Sequence, residues 1–423
     1  MRISNQYSTT HRFYPWLVIL LAASFLFYKY ILQVSPSTMI DELMSEFHVE
    51  GAGLGNLAAS FFYSFLIAQL FVGVLLDRYS PRLLTTTALL LCALGVYSFS
   101  TANSVVLAAW SRTLMGVGAA FATVSYMKMT SLWFKPKQFA FVGGLLASAA
   151  MLGAIAGQMP LSLVVNKVGW RNSLGLCAIL GVFLAALFYL IVRDKPKNQS
   201  VVVAAPQFFF RDVWAVLTNT QNWLITLYSG LAFSPIDAFA GLWSIPFLRQ
   251  AYQLTHTHAA FFVSFIFFGL ALGSPLLGLL SDRLGQRRCI MLGSGCIALA
   301  SITPVLYSTH LPLFLLGCLL FLFGFFTGAF MLGFALGKDL NKLTVAATII
   351  ALINTGDVIF SAFTEPLIGK LLDLGWNGQI VSGIHYFSVI DYRRALTLLP
   401  VYILLSITLL IFIREPNIPQ KNV

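Results

Sequence analysis

Four ionisable residues interrupt long apolar stretches of the sequence: Lys29, Arg112, Asp237 and Asp357. A charge at membrane depth is costly, so such residues are candidates for a functional site. Counting ~1.5 Å per helical residue from the ends of the apolar stretches places all four roughly 18–21 Å from one membrane face. The sequence therefore predicts a layer of two cations and two anions at one depth.

The overall composition defines the environment of these charges. The chain has 423 residues, of which 58% are hydrophobic and 10% are charged, and its mean hydropathy is +0.83. A soluble domain carries roughly 25% charged residues. A soluble enzyme, a disordered chain and a secreted disulfide scaffold are therefore excluded, and the sequence predicts an all-α membrane protein that crosses the bilayer many times.

The apolar stretches predict twelve membrane helices, each of which needs about 20 residues. The predicted spans are 15–40, 52–76, 82–102, 104–133, 138–166, 171–192, 221–249, 257–281, 287–308, 311–337, 343–372 and 393–413. The loops of one side hold 17 Lys and Arg residues and those of the other side hold 6. By the positive-inside rule, the richer side is cytoplasmic and both termini lie there.

The two halves of the chain resemble each other. The sequence from Gly73 to Arg82 recurs from Gly278 to Arg287, and the pairs Pro160-Leu161 and Gly169-Trp170 recur as Pro366-Leu367 and Gly375-Trp376. Duplicated halves with a binding site at their interface are typical of transporters. We predict a six-helix bundle over 1–192, a cytoplasmic linker over 193–220 and a pseudo-symmetric bundle over 221–423.

These repeated loops resemble the G-x-x-x-D-[RK]-x-G-[RK]-[RK] motif of the major facilitator superfamily. The second copy fits better, because Ser80 and Pro81 replace expected residues in the first. Arg112-x-x-x-Gly116-x-Gly118 is similar to another signature of the family, and the resemblance extends over essentially the whole chain. Two stretches, FYKYILQVSPSTMIDEL and SYMKMTSLWF, further resemble the phagosomal transporter (Pht) branch of intracellular bacteria, which is associated with uptake of amino acids and nucleosides.

The resemblance implies that the repeated loops act as a gate. Asp77 and its neighbours would bind helix 11 when the inside is closed, and Asp282 would do the equivalent in the other half. The predicted gate residues are Gly73, Asp77, Arg78, Arg82, Gly278, Asp282, Arg283 and Arg287.

The resemblance also implies that helices 1, 4, 7 and 10 line a central cavity. The predicted substrate-binding residues are Lys29, Gln33, Arg112 and Asp237, with Gln33 one helical turn after Lys29. A cavity with cationic and anionic walls suits a zwitterion, whose carboxylate would meet Lys29 or Arg112 and whose ammonium would meet Asp237. Alternatively, Lys29 and Asp237 pair only to relieve burial, and Arg112 organises the first half or assists proton movement.

Other roles are predicted for the remaining titratable residues in or near the apolar stretches. Asp237 and Asp357 are the candidate proton-coupling residues, and Asp357, on helix 11, is also a candidate gate residue. Lys128 would lie near the inner end of helix 4 and extend to the interface. Glu365 is expected at the outer edge, in contact with water. His256 and His258 are expected to be solvated, and no metal site is predicted.

Taken together, these observations predict a secondary active transporter of a bacterial inner membrane. We expect proton-coupled import of a small polar metabolite, an amino acid, by a monomer that uses no cofactor and binds no nucleic acid. The alternatives are an exporter of a siderophore or other amphipathic compound, and a transporter-like membrane sensor. Gln158 replaces the proline of the antiporter motif in helix 5, which argues against the exporter, and 193–220 is short for the output domain of a sensor. A membrane enzyme is not expected, because no His and acidic cluster lies near one interface.

Overall fold

The computed structural model describes residues 10–134, 136–194, 210–342, 345–381 and 384–415. Within these ranges the chain is helical except for one short hairpin. The predicted termini and much of the predicted linker lie outside the described residues. Among the described residues, eleven helical segments are long and apolar enough to cross a membrane.

The first half, residues 10–194, contains six long helical segments that coincide with the predicted spans within a few residues. They are α1 (Thr10–Val34), α2 (Gly51–Arg78), α3 (Pro81–Ser100), α4 (Val105–Trp133), α5 (Pro136–Ala156 continued by Met159–Val168) and α6 (Trp170–Ile191). A 3₁₀ turn, Ser35–Thr38, and a short helix, Ile40–Phe47, connect α1 to α2.

The second half, residues 210–415, begins with a short helix, Phe210–Thr218. Its long segments are α7 (Thr220–Tyr252), α8 (His256–Leu284), α9 (Arg287–Tyr307), α10 (Leu313–Asp339), α11 (Ala346–Gly375) and α12 (Val389–Phe412). The antiparallel strands β1 (Ile380–Val381) and β2 (Ile384–His385) lie between α11 and α12, with Ile380 opposite His385. The 30-residue α11 is not among the eleven apolar segments, so the count of twelve spans stays a prediction.

Local signals in the sequence explain where several helices begin. The hydroxyls of Ser80, Ser104 and Thr255 accept hydrogen bonds from backbone amides in the first turns of α3, α4 and α8. Ser388 and Asp391 form a capping box before α12. These caps satisfy amides that have no partner within the helix, so the chain turns between closely spaced spans without losing hydrogen bonds.

Small residues allow the helices to pack closely. A Cβ atom on Gly116 would lie 2.2 Å from the carbonyl oxygen of Phe61, and one on Gly273 would lie 1.9 Å from that of Phe325. Close backbone approach at small residues is the usual packing mode of membrane helices. Large apolar side chains such as Phe314 and Leu190 point away from the protein, where lipid would cover them.

The two halves contact each other mainly at one end of the molecule. We call the end that carries Asp77 and Asp282 the Asp-Arg end, and the other the opposite end. At the opposite end, Asp373 on α11 accepts hydrogen bonds of 2.7 Å from the backbone amides of Gly51 and Ala52 at the start of α2. This contact places the first turn of α2 directly against α11.

Further bonds between the halves lie at the same end. Arg249 forms an ion pair with Asp41, and His256 Nδ1 lies 2.8 Å from the Ser162 hydroxyl. Over the described residues, no hydrogen bond or ion pair joins the halves at the Asp-Arg end. The interface is therefore closed at the opposite end, and the halves are not bonded to each other at the Asp-Arg end.

Candidate functional site

Lys29 and Gln33 lie on one face of α1, in the middle of the protein. Both are buried, and Lys29 Nζ donates a 2.5 Å hydrogen bond to Gln33 Oε1. The ammonium also lies 3.8 Å from the centroid of the Tyr30 ring and 5.1 Å from that of Phe65. In the described part of the chain, Lys29 forms no ion pair with a carboxylate. The Gln33 amide oxygen and the two aromatic rings therefore stabilise the positive charge of Lys29.

Asp237 faces this pair from the second half. Its Oδ2 accepts a 2.8 Å hydrogen bond from the Ser361 hydroxyl on α11, and its Oδ1 accepts a 3.4 Å bond from Gln33 Nε2. Asp237 lies two residues before a π-helical turn, Phe239–Trp243, in α7. π-helical turns are rare in proteins, and those that occur are frequently found at functional sites. The structure thus brings Lys29, Gln33 and Asp237 together, with Gln33 between the two charges.

Arg112 is buried in α4 and binds the backbone of neighbouring helices. Its guanidinium donates to the carbonyl oxygens of Leu32 at 2.7 Å, Ala58 at 3.1 Å and Gln33 at 3.4 Å. Leu32 and Gln33 are in the last turn of α1, where carbonyls lack partners within the helix and the helix dipole is negative. These contacts favour the organising role of Arg112 over direct substrate contact.

The two buried carboxyl groups of α11 lie at different depths. Asp357 is 4% exposed, and its Oδ1 has no hydrogen-bond partner among the described residues. The neighbouring Gly356 packs against Thr226, so Asp357 lies at the crossing of α7 and α11.

The expectation that Glu365 is solvated is wrong, since this residue is only 3% exposed. Helix α11 continues ten residues beyond it to Gly375, which places Glu365 inside the protein rather than at the edge.

The predicted gate loops make contacts within their own halves. Asp77 Oδ1 accepts a 2.6 Å bond from Lys128 Nζ on α4. Asp282 lies 3.1 Å from Arg287 Nη1, and Arg287 Nε donates to Asp339 Oδ2 at 2.7 Å. Over the described residues, Asp77 forms no hydrogen bond or ion pair with α11, so the predicted contact with helix 11 is not made in this state.

The other gate residues have few constraints in this state. Arg82 donates to the carbonyl oxygen of Tyr189 at 2.7 Å, while Arg78 and Arg283 are exposed. A Cβ atom on Gly73 or Gly278 would meet nothing within 4 Å. Glycine at these two positions is therefore not required by packing in the state observed.

The sequence did not show which residues are the partners of the predicted ones. Ser361, Lys128 and Asp339 bind the predicted residues from helices far away in the chain, so their roles depend on the tertiary structure. One cluster of potential metal ligands is found in the described ranges: Glu50, Asp373 and His385 have ligand atoms within 4.8 Å of one another. Of the two histidines predicted to be solvated, His258 is exposed, whereas His256 is partly buried and its ring contacts Ser162.

The arrangement of helices and motifs agrees with a comparison against known families. The model of the Major Facilitator Superfamily matches residues 17–364. The chain belongs to this superfamily. The predicted superfamily is thus confirmed, and the likeness to the phagosomal transporter branch stays a prediction. Members of the superfamily are membrane transporters, and the chain is accordingly a multi-pass membrane transporter.

Curated relatives carry a range of transporter names. The chain is 23% identical over 354 residues to a probable L-galactonate transporter of Escherichia coli K12, covering 78% of this chain and 77% of that protein. It is 21% identical over 413 residues to a probable hexose phosphate transport protein of Chlamydia pneumoniae, covering 90% of each. A probable nitrate/nitrite antiporter, NarK1 of Thermus thermophilus, is 26% identical over 290 residues and matches 64% of this chain and 62% of its own.

Solved structures show the same fold. A bacterial homologue of the human lysosomal transporter Spinster, in an inward-facing and occupied conformation, superposes with a TM-score of 0.78 at 13% identity, covering 95% of this chain and 97% of that one. A mutant of the nucleoside transporter NupG superposes with a TM-score of 0.76 at 14% identity, covering 94% and 99%.

Proposed function

We propose that this protein is a secondary active transporter that imports an amino acid across a bacterial inner membrane, with protons as the coupling ion. The observation that carries the proposal is the placement of Lys29 and Asp237. These opposite charges face each other across the two halves, and Gln33 hydrogen-bonds to both. They do not neutralise each other directly.

A zwitterion fits this arrangement because it can replace the bonds that Gln33 makes. The substrate carboxylate would accept hydrogen bonds from the Lys29 ammonium, and the substrate ammonium would donate to the Asp237 carboxylate beside Ser361. Hydrogen bonds between charged groups are shorter and stronger than those to a neutral amide. The substrate would therefore form stronger hydrogen bonds with Lys29 and with Asp237 than Gln33 does.

Alternating access explains why the halves bind each other at one end. The loop charges predict that the Asp-Arg end faces the cytoplasm, so this state would be closed to the outside. Closure of the inside would bring α11 toward the loop after α2. The unconstrained Gly73 and the exposed Asp77 would then make the contacts that are absent here.

Proton coupling is supported by the two carboxyl groups near mid-depth, Asp237 and Asp357. Both are buried, and ionisable groups at this depth are candidates for proton transfer.

A sugar acid is the second candidate substrate. Lys29 has no carboxylate partner among the described residues, which suits an anion, and the names of the relatives include a galactonate transporter. In this case Asp237 would accept hydrogen bonds from substrate hydroxyls instead of binding an ammonium. The exporter and sensor alternatives gain no comparable support.

Uptake into proteoliposomes tests these proposals. The purified protein would be supplied with labelled amino acids, nucleosides and sugar acids, with and without an inwardly directed proton gradient. We expect accumulation of an amino acid that is abolished by a protonophore. Accumulation of sugar acids alone would favour the second candidate, and gradient-driven efflux alone would contradict import.

A further inference from the structure

Glu365 lies inside the barrier that closes the opposite end. It precedes Asp373 by eight residues, so it is ~12 Å deeper along α11 than the contact between Asp373 and the start of α2. The Trp243 indole donates a 3.2 Å bond to its backbone carbonyl, and a Cβ on Gly55 would come within 2.6 Å of the same oxygen. Helices α2 and α7 therefore cover Glu365 from both sides.

One oxygen of the buried Glu365 carboxyl group has no partner. Within the described residues, Oε2 has no hydrogen bond. A side chain added at Gly241 would lie 3.9 Å from Oε1, so this oxygen faces the π-helical turn of α7. The barrier thus closes around a titratable group, and in the described residues it offers no hydrogen-bond donor to Oε2.

Three titratable or charged groups on the surrounding helices face Glu365. Arg112 on α4 favours a negative charge there, whereas Asp237 on α7 opposes it, and Tyr63 on α2 is the third group. Arg112 directs its hydrogen bonds to three backbone carbonyls and none to Glu365. A carboxylate at this position would therefore be desolvated and would lack a bonded cation, which costs far more than burying the neutral acid.

We propose that Glu365 is a proton-binding site that controls the outer barrier. The barrier closes when the carboxyl group has taken up a proton from the outer solution. On reopening, water reaches the group and the proton returns to the same solution. This step concerns closure of the outer barrier, and so it differs from the proton coupling that is proposed for Asp237 and Asp357. The inference rests on the proposed function only for the assignment of this end to the outside.

Thiol accessibility tests this proposal without substrate. Ala240 is fully buried in the π-helical turn of the barrier, and Asn103 is exposed at the same end. In sealed, right-side-out vesicles, the labelling rate of Ala240→Cys by an impermeant maleimide is divided by that of Asn103→Cys, which removes the intrinsic pH dependence of the thiol. The chain without either substitution gives the background from its own cysteines.

We expect this ratio to rise as the external pH is raised, because deprotonation of the carboxyl group favours its exposure to water. The rise should reach up to about tenfold per pH unit, since one proton leaves at each opening. Glu365→Gln should keep the barrier closed and give a low ratio at every pH. Glu42→Gln is the control, because Glu42 lies at the same end outside the spans and burial raises the pKa of its carboxyl group. That variant should keep the pH response.

Two results would overturn the proposal. The first is a Glu365→Gln variant whose ratio still rises with pH. The second is a Glu365→Gln variant that melts well below the parent protein while Glu365→Asp does not, because Glu365 would then be the counter-ion of Arg112. Neither result bears on uptake into proteoliposomes. A failure of the Glu365 proposal is therefore distinguishable from a failure of the transport proposal.

Discussion

Lys29 and Asp237 lie in one hydrogen-bonded chain but make no ion pair with each other. The Gln33 amide accepts from Lys29 at 2.5 Å and donates to Asp237 at 3.4 Å, and so links α1 to α7. The second bond is long, which makes it the weaker of the two. A substrate that enters between the halves can therefore separate Gln33 from Asp237 at little cost.

Asp237→Asn distinguishes the two candidate substrate classes. An asparagine keeps the size and hydrogen-bonding capacity of the side chain but cannot hold an ammonium by charge. Amino-acid uptake should fall at least about tenfold, a loss of ~1.4 kcal/mol. Sugar-acid uptake, where present, should change less. Ser361→Ala is the matched control, because it removes a bond to Asp237 without removing charge. If Asp237→Asn takes up an amino acid as well as the parent protein does, Asp237 does not bind the substrate ammonium.

Arg112→Lys should mainly destabilise the first half. A lysine cannot reach three carbonyls at once, and hydrogen bonds from charged groups contribute about 1.5–3 kcal/mol each. We expect a clear fall in the melting temperature of the detergent-solubilised protein, with substrate affinity changed less than by Asp237→Asn. A variant that melts like the parent but no longer binds substrate would show that Arg112 is a ligand.

The helices and the central charged residues could be predicted from the sequence more completely than the side-chain contacts between them. Lys29, Gln33 and Asp237 could be identified because polar residues in apolar stretches are conspicuous and helical spacing gives their depth. The partners Ser361 and Lys128 could not, since a serine or a lysine near a helix end is common. Glu365 was misplaced because its burial comes from α2 and α7, which pack against it, and local hydropathy does not encode that packing.

Gly73→Ala should separate transport from stability. In the present state a Cβ at this position meets nothing within 4 Å, so the melting temperature should be unchanged. Transport should fall severalfold, because the inside-closed state brings α11 against this turn. Gly175→Ala, at another glycine with open space around it, is the control and should transport normally. Normal transport by Gly73→Ala would contradict the gate assignment.

Asp77→Asn should act in the same direction. Its present partner, Lys128, is in a partly exposed ion pair worth ~0–1 kcal/mol, so the fold should tolerate the change. Substrate binding to the solubilised protein should survive while uptake falls. Loss of binding in a folded Asp77→Asn variant would place Asp77 outside the gate.

Asp357→Asn tests proton coupling. If the Asp357 carboxyl carries the proton, the variant should lose accumulation against a gradient but keep exchange of labelled for unlabelled substrate. Asp339→Asn, which changes a carboxylate of the gate network instead, should impair both. Accumulation driven by a proton gradient in both Asp357→Asn and Asp237→Asn would exclude these carboxyl groups as the proton carriers.

The central claim is that Lys29 and Asp237 bind the substrate rather than only stabilise each other. The most direct test is equilibrium binding of the transported substrate to the folded double variant Lys29→Met, Asp237→Asn, which leaves no uncompensated charge at either position. We predict a melting temperature close to that of the parent and no measurable binding. Binding with the affinity of the parent protein would contradict the account and reduce the pair to a structural contact.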